Sequence, residues 1–360
     1  MSSAGYAFNP HSDLMENATI EISPAAQPTL PRAAAKSRQE APIESGKMVW
    51  LKLAVLPIAT IIALAVHLSI GANEPAVRLR PYSIFLGSIL GFSLVGAMVQ
   101  PFWPAFRRWL LHNSPLFAGG VLLLTLWQFI TSGVRLLPLP YFPSPASVLQ
   151  SLLFDWKMLA ESTWHSLILL LSGYALGVAI ALVTGVCIGW YPTARYWGMP
   201  LLKILGPIPA TAWVPLAMVL SPSGSVSAMG LVALAVWFPV TMLTIAGIAN
   251  TRASYLDVAR TLGADQKFLI FRVAIPAAMP NIFLGLFMGL GTSFITLIVA
   301  ETVGVKAGLG WYLQWAQGWA EYNKVFAALA IMAVFFSTIM TLLFKLRDRV
   351  LVWQKGVLKW

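Results

Sequence analysis

Charge is what this 360-residue chain has least of: Asp, Glu, Lys and Arg make up 10% of it, where a soluble domain carries about 25%. Hydrophobic residues supply 58%. That balance excludes a cytosolic enzyme, a nucleic-acid binder and a disordered scaffold. Cysteine is nearly absent as well. The single thiol, Cys187, lies inside the apolar run from Val178 to Trp190, so it forms no intrachain disulfide, has no Cys/His ligand set and reads as a small packing residue. The four histidines, His11, His67, His112 and His165, are scattered singly, which argues against a zinc or catalytic cluster. The sequence holds no G-x-x-x-x-G-K-[ST] segment. With no loop to cradle a triphosphate, the chain does not hydrolyse ATP by itself.

Long apolar runs fill the place of charge. Eight stretches approach the roughly 20 residues that a bilayer demands: Met48 to Ile70, Tyr82 to Val99, Leu116 to Ser132, His165 to Trp190, Leu201 to Leu220, Val226 to Ile248, Ile282 to Val303 and Val325 to Phe344. Each is expected to be helical, because a strand edge facing lipid leaves backbone groups unsatisfied. Residues 1–46 are instead polar and mixed, rich in Ala, Ser, Pro and Glu. They read as a disordered cytoplasmic tail, too long and too acidic for the basic region of a cleavable leader.

The net charge is +11, from 24 basic and 13 acidic residues. With the N-terminus inside, the outer loops hold only Arg78, Arg80, Arg135, Lys157, Lys306 and Lys324, and the other 18 basic residues are cytoplasmic. Such a bias is expected of an even number of spans with both termini cytoplasmic. The basic surplus therefore reports topology, and no nucleic-acid partner follows from it.

Small residues recur every fourth position in the fourth span (Gly173, Gly177, Ala181, Gly185, Gly189) and in the seventh (Gly285, Gly289, Ser293). Stripes of this kind let helix backbones touch, either within one subunit or between two. The fifth span is expected to be broken, since Pro207, Pro209 and Pro215 remove backbone donors, and freed carbonyls at membrane depth need protein or a watery cavity beside them. Together with Trp213, these prolines are candidates for a translocation pathway; ordinary proline kinks are the alternative. Between the sixth and seventh spans, residues 250–280 form a long inner loop. It reads as two short helices. The first, about Arg252 to Leu262, carries Tyr255, Ala259 and Leu262 on one face and ends at Gly263; the second, Gln266 to Val273, is capped by Asp265 and ends at Pro276. The pair suits docking to a cytoplasmic partner, or, with Arg252, Lys267 and Arg272, resting on lipid headgroups.

The run Asp257-Val258-Ala259-Arg260-Thr261-Leu262-Gly263, followed after nine residues by Val273-Ala274-Ile275-Pro276, resembles the EAA loop of binding-protein-dependent ABC importer permeases. Asp257 stands for the family's Glu, Val258 for its first Ala, Val273 for its Ile and Ile275 for its Leu; Ala259, Gly263 and Pro276 match outright. Phe142-Pro143-Ser144-Pro145-Ala146-Ser147-Val148, Pro207-Ile208-Pro209 and Val299-Ala300-Glu301 with Gly308-Leu309-Gly310 are similar to the nitrate/sulfonate/taurine/bicarbonate branch. The resemblance covers about Leu116 to Gln354. It departs at Ser221-Pro222-Ser223-Gly224-Ser225, where the branch often has an aromatic and a glycine followed by acidic and basic residues.

The resemblance implies a six-helix type I importer core over 111–360 with the EAA coupling loop at 250–280; with eight apolar stretches, the chain is then an all-α polytopic membrane protein with two extra N-terminal transmembrane helices over 47–110, which the resemblance does not cover. It implies a multi-pass place in a bacterial inner membrane among lipid, and no cofactor in this chain, because ATP and Mg belong to two separate cytoplasmic ABC ATPase subunits. The further implied partners are a second permease subunit in a homodimer and a periplasmic or lipid-anchored substrate-binding protein. The implied solute is a small anion such as nitrate, bicarbonate, taurine or an alkyl sulfonate. Glu301, close to the outer end of the seventh span, reads either as a gate or pathway residue or as a hydrogen-bond partner of the loop from Gly304 to Gly310. Trp311, Tyr312, Trp315 and Trp319 read as an interfacial belt or as a surface for the binding protein. An ion-coupled secondary transporter would need midplane coupling residues and an internal repeat; a non-transporting scaffold is the remaining alternative.

Overall fold

The computed structural model describes residues 46–70, 77–137 and 140–353, with side chains from residue 51 onward. Apart from Gly46, the expected tail lies outside the described residues. Among those residues every regular element is helical: α1 (Gly46–Ile70), α2 (Leu79–Val99), α3 (Pro104–Gln128), α4 (Pro145–Phe154), α5 (Trp156–Trp190), α6 (Pro192–Leu205), α7 (Val214–Leu220), α8 (Gly224–Ala249), α9 (Ala253–Thr261), α10 (Gln266–Phe268), α11 (Ile275–Gly304), α12 (Leu309–Gly318) and α13 (Tyr322–Val350). Among the described residues seven helices are long and apolar enough to cross a membrane, and α6 with Ala210–Leu220 makes an eighth span only if a pair bent by 83° is taken as one. The fifth expected span is that bent pair.

The centre of the fold is α8, held between α5 and α11. The two small-residue stripes explain why. A Cβ placed on Gly173 would lie 2.8 Å from the Val232 Cβ, one on Gly177 2.6 Å from the Ala233 carbonyl oxygen, and one on Gly185 2.7 Å from the Thr244 Cβ. From the other side, Gly285 and Gly289 bring α11 against Val240 and Val236. Ala181 and Ser293 are fully buried, and Gly189 abuts Ile248. Both stripes therefore serve packing within one subunit, where dispersion and close backbone approach replace the hydrophobic drive that lipid does not supply. Polar clasps join the layers: Thr292 donates to the Ala235 carbonyl at 3.0 Å, and Tyr174 donates to that of Leu286 at 2.8 Å.

The N-terminal helices pack on α3 and α4 through Leu56, Ala59, Ala63, Tyr82, Leu86, Ala118, Val121 and Ala146. Ser114 of α3 donates to the Lys52 carbonyl, and the Arg78 backbone N–H donates to Gln150 of α4. At the start of α4, Ser144 accepts from the Ser147 N–H while Pro145 occupies the first turn, where its missing donor costs nothing.

Three boundaries differ most from the expectation, the first being α3, which begins at Pro104, twelve residues before the apolar run at Leu116. Helix α5 begins at Trp156, nine residues before the apolar run at His165. The second short helix of the inner loop does not end at Pro276: α10, a π-helical turn Leu269–Ala274 and α11 form one helix, Gln266–Gly304. Ile275 donates to Ile270 five residues back, so the widened turn sits immediately before Pro276. There the ring avoids the clash that a regular α turn would impose.

Candidate functional site

The inner loop folds as α9, a tight turn and the start of the long helix. At its end α9 makes a full Schellman closure: the Gly263 N–H donates to the Arg260 carbonyl at 2.9 Å, and the Ala264 N–H donates to that of Ala259 at 3.0 Å. Gly263 takes φ +82°, a left-handed conformation that other residues reach only at a cost of about 1–2 kcal/mol. Asp265 then accepts from the Phe268 N–H at 2.9 Å and starts α10. Sequence and geometry meet here: glycine ends one helix and aspartate begins the next within three residues.

No residue of α9 is buried. Tyr255, Val258, Leu262 and Phe268 are all exposed, Leu262 at 82%, and with Ala259, Gly263, Ala264 and Asp265 they line a concave surface of about 460 Å³. Asp257 and Arg260 pair with each other at 3.2 Å on the solvent side. The motif's second half lies elsewhere: Ile275 packs beside Ile248, Ala278 and Ile282, while Val273 and Pro276 are half-buried at the base of the long helix. The structure thus gathers Tyr255, Val258, Ala259, Leu262 and Gly263 into one surface and uses Ile275 to root it.

A second concavity lies at the break between α6 and α7. Gly206 keeps helical dihedrals (φ −58°, ψ −44°) directly before Pro207, a placement that a Cβ would oppose. A Cβ there would also overlap the Phe238 ring. After Pro209 the chain forms a 3₁₀ turn, Ala210–Trp213, and α7. The resulting cleft of about 530 Å³ is lined by Pro209 and Trp213, by Trp237 and Phe238 of α8, and by Met288, Thr292, Ile295 and Thr296 of α11, among others. Pro207 is exposed beside it, and Pro215 sits in the first turn of α7, where it starts a helix instead of freeing carbonyls. The sequence does not single out Trp237, Phe238 or the two threonines; Thr292 and Thr296 lie seven residues after Gly285 and Gly289, on the face of α11 that meets α8.

Glu301 is not part of that cleft. It is 1% exposed; its Oε1 accepts from the Ser166 hydroxyl at 2.7 Å and its Oε2 from the Gly310 N–H at 2.8 Å. Ser166 in turn accepts from the Leu309 N–H at 2.8 Å. The carboxylate thereby ties α5 and α11 to the N-terminus of α12, where partial positive charge favours it. At Gly308, φ +134°, a Cβ would strike the carboxyl group. Farther along α12, Tyr312 is fully buried and donates to Asp155 at 3.0 Å, and Lys324 bridges Asp155 and Glu321. Burial and the Asp155 carboxylate raise the Tyr312 hydroxyl above its ordinary pKa. Tyr312 therefore stands apart from the expected aromatic belt, whereas Trp319 is exposed.

Residues 173–351 match the family described as binding-protein-dependent transport system inner membrane component. A putative aliphatic sulfonates transport permease protein of Bacillus subtilis (strain 168) is 30% identical over 216 residues, which cover 59% of this chain and 77% of that protein. The chain belongs to this family. A taurine transport system permease protein of Escherichia coli (strain K12) is 29% identical over 188 residues, 49% of this chain and 66% of its own length. A putative ABC transporter permease protein of Methanocaldococcus jannaschii is 32% identical over 124 residues, 34% of this chain, and only 46% of that relative is spanned. The family match runs from α5 to the end of α13. It takes in the α9 surface, the cleft and Glu301; α1 to α4 lie outside it.

Proposed function

We propose that this member of the binding-protein-dependent family is the transmembrane permease subunit of an ATP-driven importer for a small anionic solute. In this reading two permease copies form the pathway in a bacterial inner membrane, with both termini cytoplasmic. Two cytoplasmic ATPase subunits hold ATP and Mg, and an external binding protein delivers the solute. The chain itself is not an enzyme. The observation that carries the reading is the α9 surface, which exposes Tyr255, Val258 and Leu262 on a helix that buries nothing. An apolar face so placed stabilises nothing in the isolated subunit and suits a protein partner. Displacement of α9 would pass through the Schellman turn into the unbroken helix Gln266–Gly304, and so reach the cleft on α11, a rigid-element route for coupling. An ion-coupled mechanism finds no coupling acid in Glu301, since both of its oxygens are engaged in holding α12.

The test is solute uptake by proteoliposomes carrying the full chain, the ATPase and the binding protein. The reading expects uptake that needs ATP inside and stops when Leu262→Asp removes the apolar contact. Uptake that persists with that variant, or that an ion gradient drives without ATP, contradicts it.

A further inference from the structure

The cleft at the α6–α7 break has a lining that discriminates among the solutes a permease of this kind could pass. Its walls are three aromatic rings, Trp213, Trp237 and Phe238, with Met288 and Ile295 on the open side. Among the described residues no Asp, Glu, Lys, Arg or His lines it. Three of its polar side chains are committed elsewhere. The Trp237 indole N–H donates to Thr184 at 3.0 Å, Thr292 donates to the Ala235 and Gly289 carbonyls at 3.0 Å, and Thr296 donates to that of Thr292 at 3.0 Å. An inorganic oxyanion entering this lining would lose hydration with no cation in the lining to replace it. A planar apolar body would instead meet ring faces and edges and a thioether, contacts that aromatic groups favour. The rings are held in place: Thr184 fixes the Trp237 indole, and the absence of a side chain at Gly206 lets the break lie against Phe238. In a pair of identical chains, a second copy of this lining would again bring no charge.

From this lining we infer that the cleft accepts an aromatic acid, an aryl sulfonate or aryl carboxylate whose ring enters the cleft while its charged group stays outside the apolar lining, and not nitrate or bicarbonate. This inference rests on the permease reading above and sharpens its solute.

The test uses the full chain in lipid nanodiscs without the binding protein, so that only the cleft selects. A thiol is introduced by Ala210→Cys on a Cys187→Ser background, and maleimide labelling is timed with benzenesulfonate, benzoate, nitrate or bicarbonate at equal concentration. The expected result is at least fivefold slower labelling with benzenesulfonate or benzoate and unchanged labelling with the inorganic anions. Trp213→Ala should remove the protection, whereas Trp237→Phe, which keeps a ring, should retain most of it. Equal protection by nitrate or bicarbonate, no protection by benzenesulfonate, or aromatic protection that survives Trp213→Ala overturns the inference. Retention of the ATPase by the same preparations is scored separately. Its loss with protection intact counts against the permease reading alone, and its presence without aromatic protection counts against the solute class alone.

Discussion

Helices α8 and α9 follow one another in sequence and obey opposite rules. Half of α8 is buried, from Ser227 to Ile248, between glycine-lined faces of α5 and α11; α9 buries nothing and turns its apolar residues outward. A helix whose contacts are complete within its own chain specifies the fold. A helix whose apolar face is left open specifies an encounter. The proposed docking role falls to the second, and so does the fold's tolerance to change, because α9 buries nothing.

The largest effect should come from attacking the first helix's surroundings. Gly177→Leu puts a branched side chain where even a Cβ lies 2.6 Å from a backbone oxygen. Overpacking of a close-packed core costs typically about 1–3 kcal/mol, and a rigid backbone neighbour places this site at the upper end. The expected outcome is loss of monodisperse protein on size exclusion, or a melting temperature lowered by many degrees. The same change at Gly230, where nothing lies within 4 Å of an added Cβ, should leave both measurements near wild type.

Next in size is the reverse signature in α9. Tyr255→Asp or Leu262→Asp should leave the melting temperature unchanged while weakening ATPase retention at least tenfold, because truncating an apolar anchor at the centre of an interface costs about 2 kcal/mol or more. A pull-down with purified ATPase measures it. Gly263→Ala should act more gently. The left-handed φ of +82° becomes strained by about 1 kcal/mol, and the angle between α9 and α10 shifts, so ATPase stimulation should fall severalfold without loss of binding.

Smaller still is Glu301→Gln. The amide keeps one acceptor oxygen but presents an NH₂ to either the Ser166 hydroxyl or the Gly310 N–H, which costs about 1–2 kcal/mol for one unmet buried donor. Thermal stability should drop modestly and labelling of the cleft should not change. A large change in cleft accessibility would return Glu301 to the pathway. The exposed Asp257–Arg260 pair is expected to contribute least, under about 0.5 kcal/mol, since it is an i,i+3 pair in water; Arg260→Ala should be silent in a melt.

The spans were legible because hydropathy and length suffice for them, and the break in the fifth was legible because proline and glycine act locally. The Gly263 and Asp265 caps were legible for the same reason. What escaped depends on pairing over long distance or on backbone register. Glu301 meets Ser166 across 135 positions, and nothing in either local pattern announces the other. The continuation of α10 through Pro276 depends on a π turn, which shifts register by one residue and defeats the rule that a proline ends a helix. Tyr312 looks interfacial in sequence, beside Trp311 and Trp315, and is buried against Leu159 and Ala328 with Asp155 as the partner for its hydroxyl. The cleft brings Trp237 of α8 and Thr292 of α11 into one lining, a pairing across two helices that no local pattern announces.

The central claim is that α9 is the contact through which an ATPase drives the membrane helices, and cross-linking tests it most directly. Single thiols from Val258→Cys, Leu262→Cys and, as a control, Val219→Cys in α7 on the Cys187→Ser background would be cross-linked to the ATPase in native membranes, with and without ATP. The account predicts efficient cross-links from positions 258 and 262 that change with nucleotide, and none from 219. Cross-links absent from both α9 positions while the two proteins still co-purify, or as strong from 219, would contradict it.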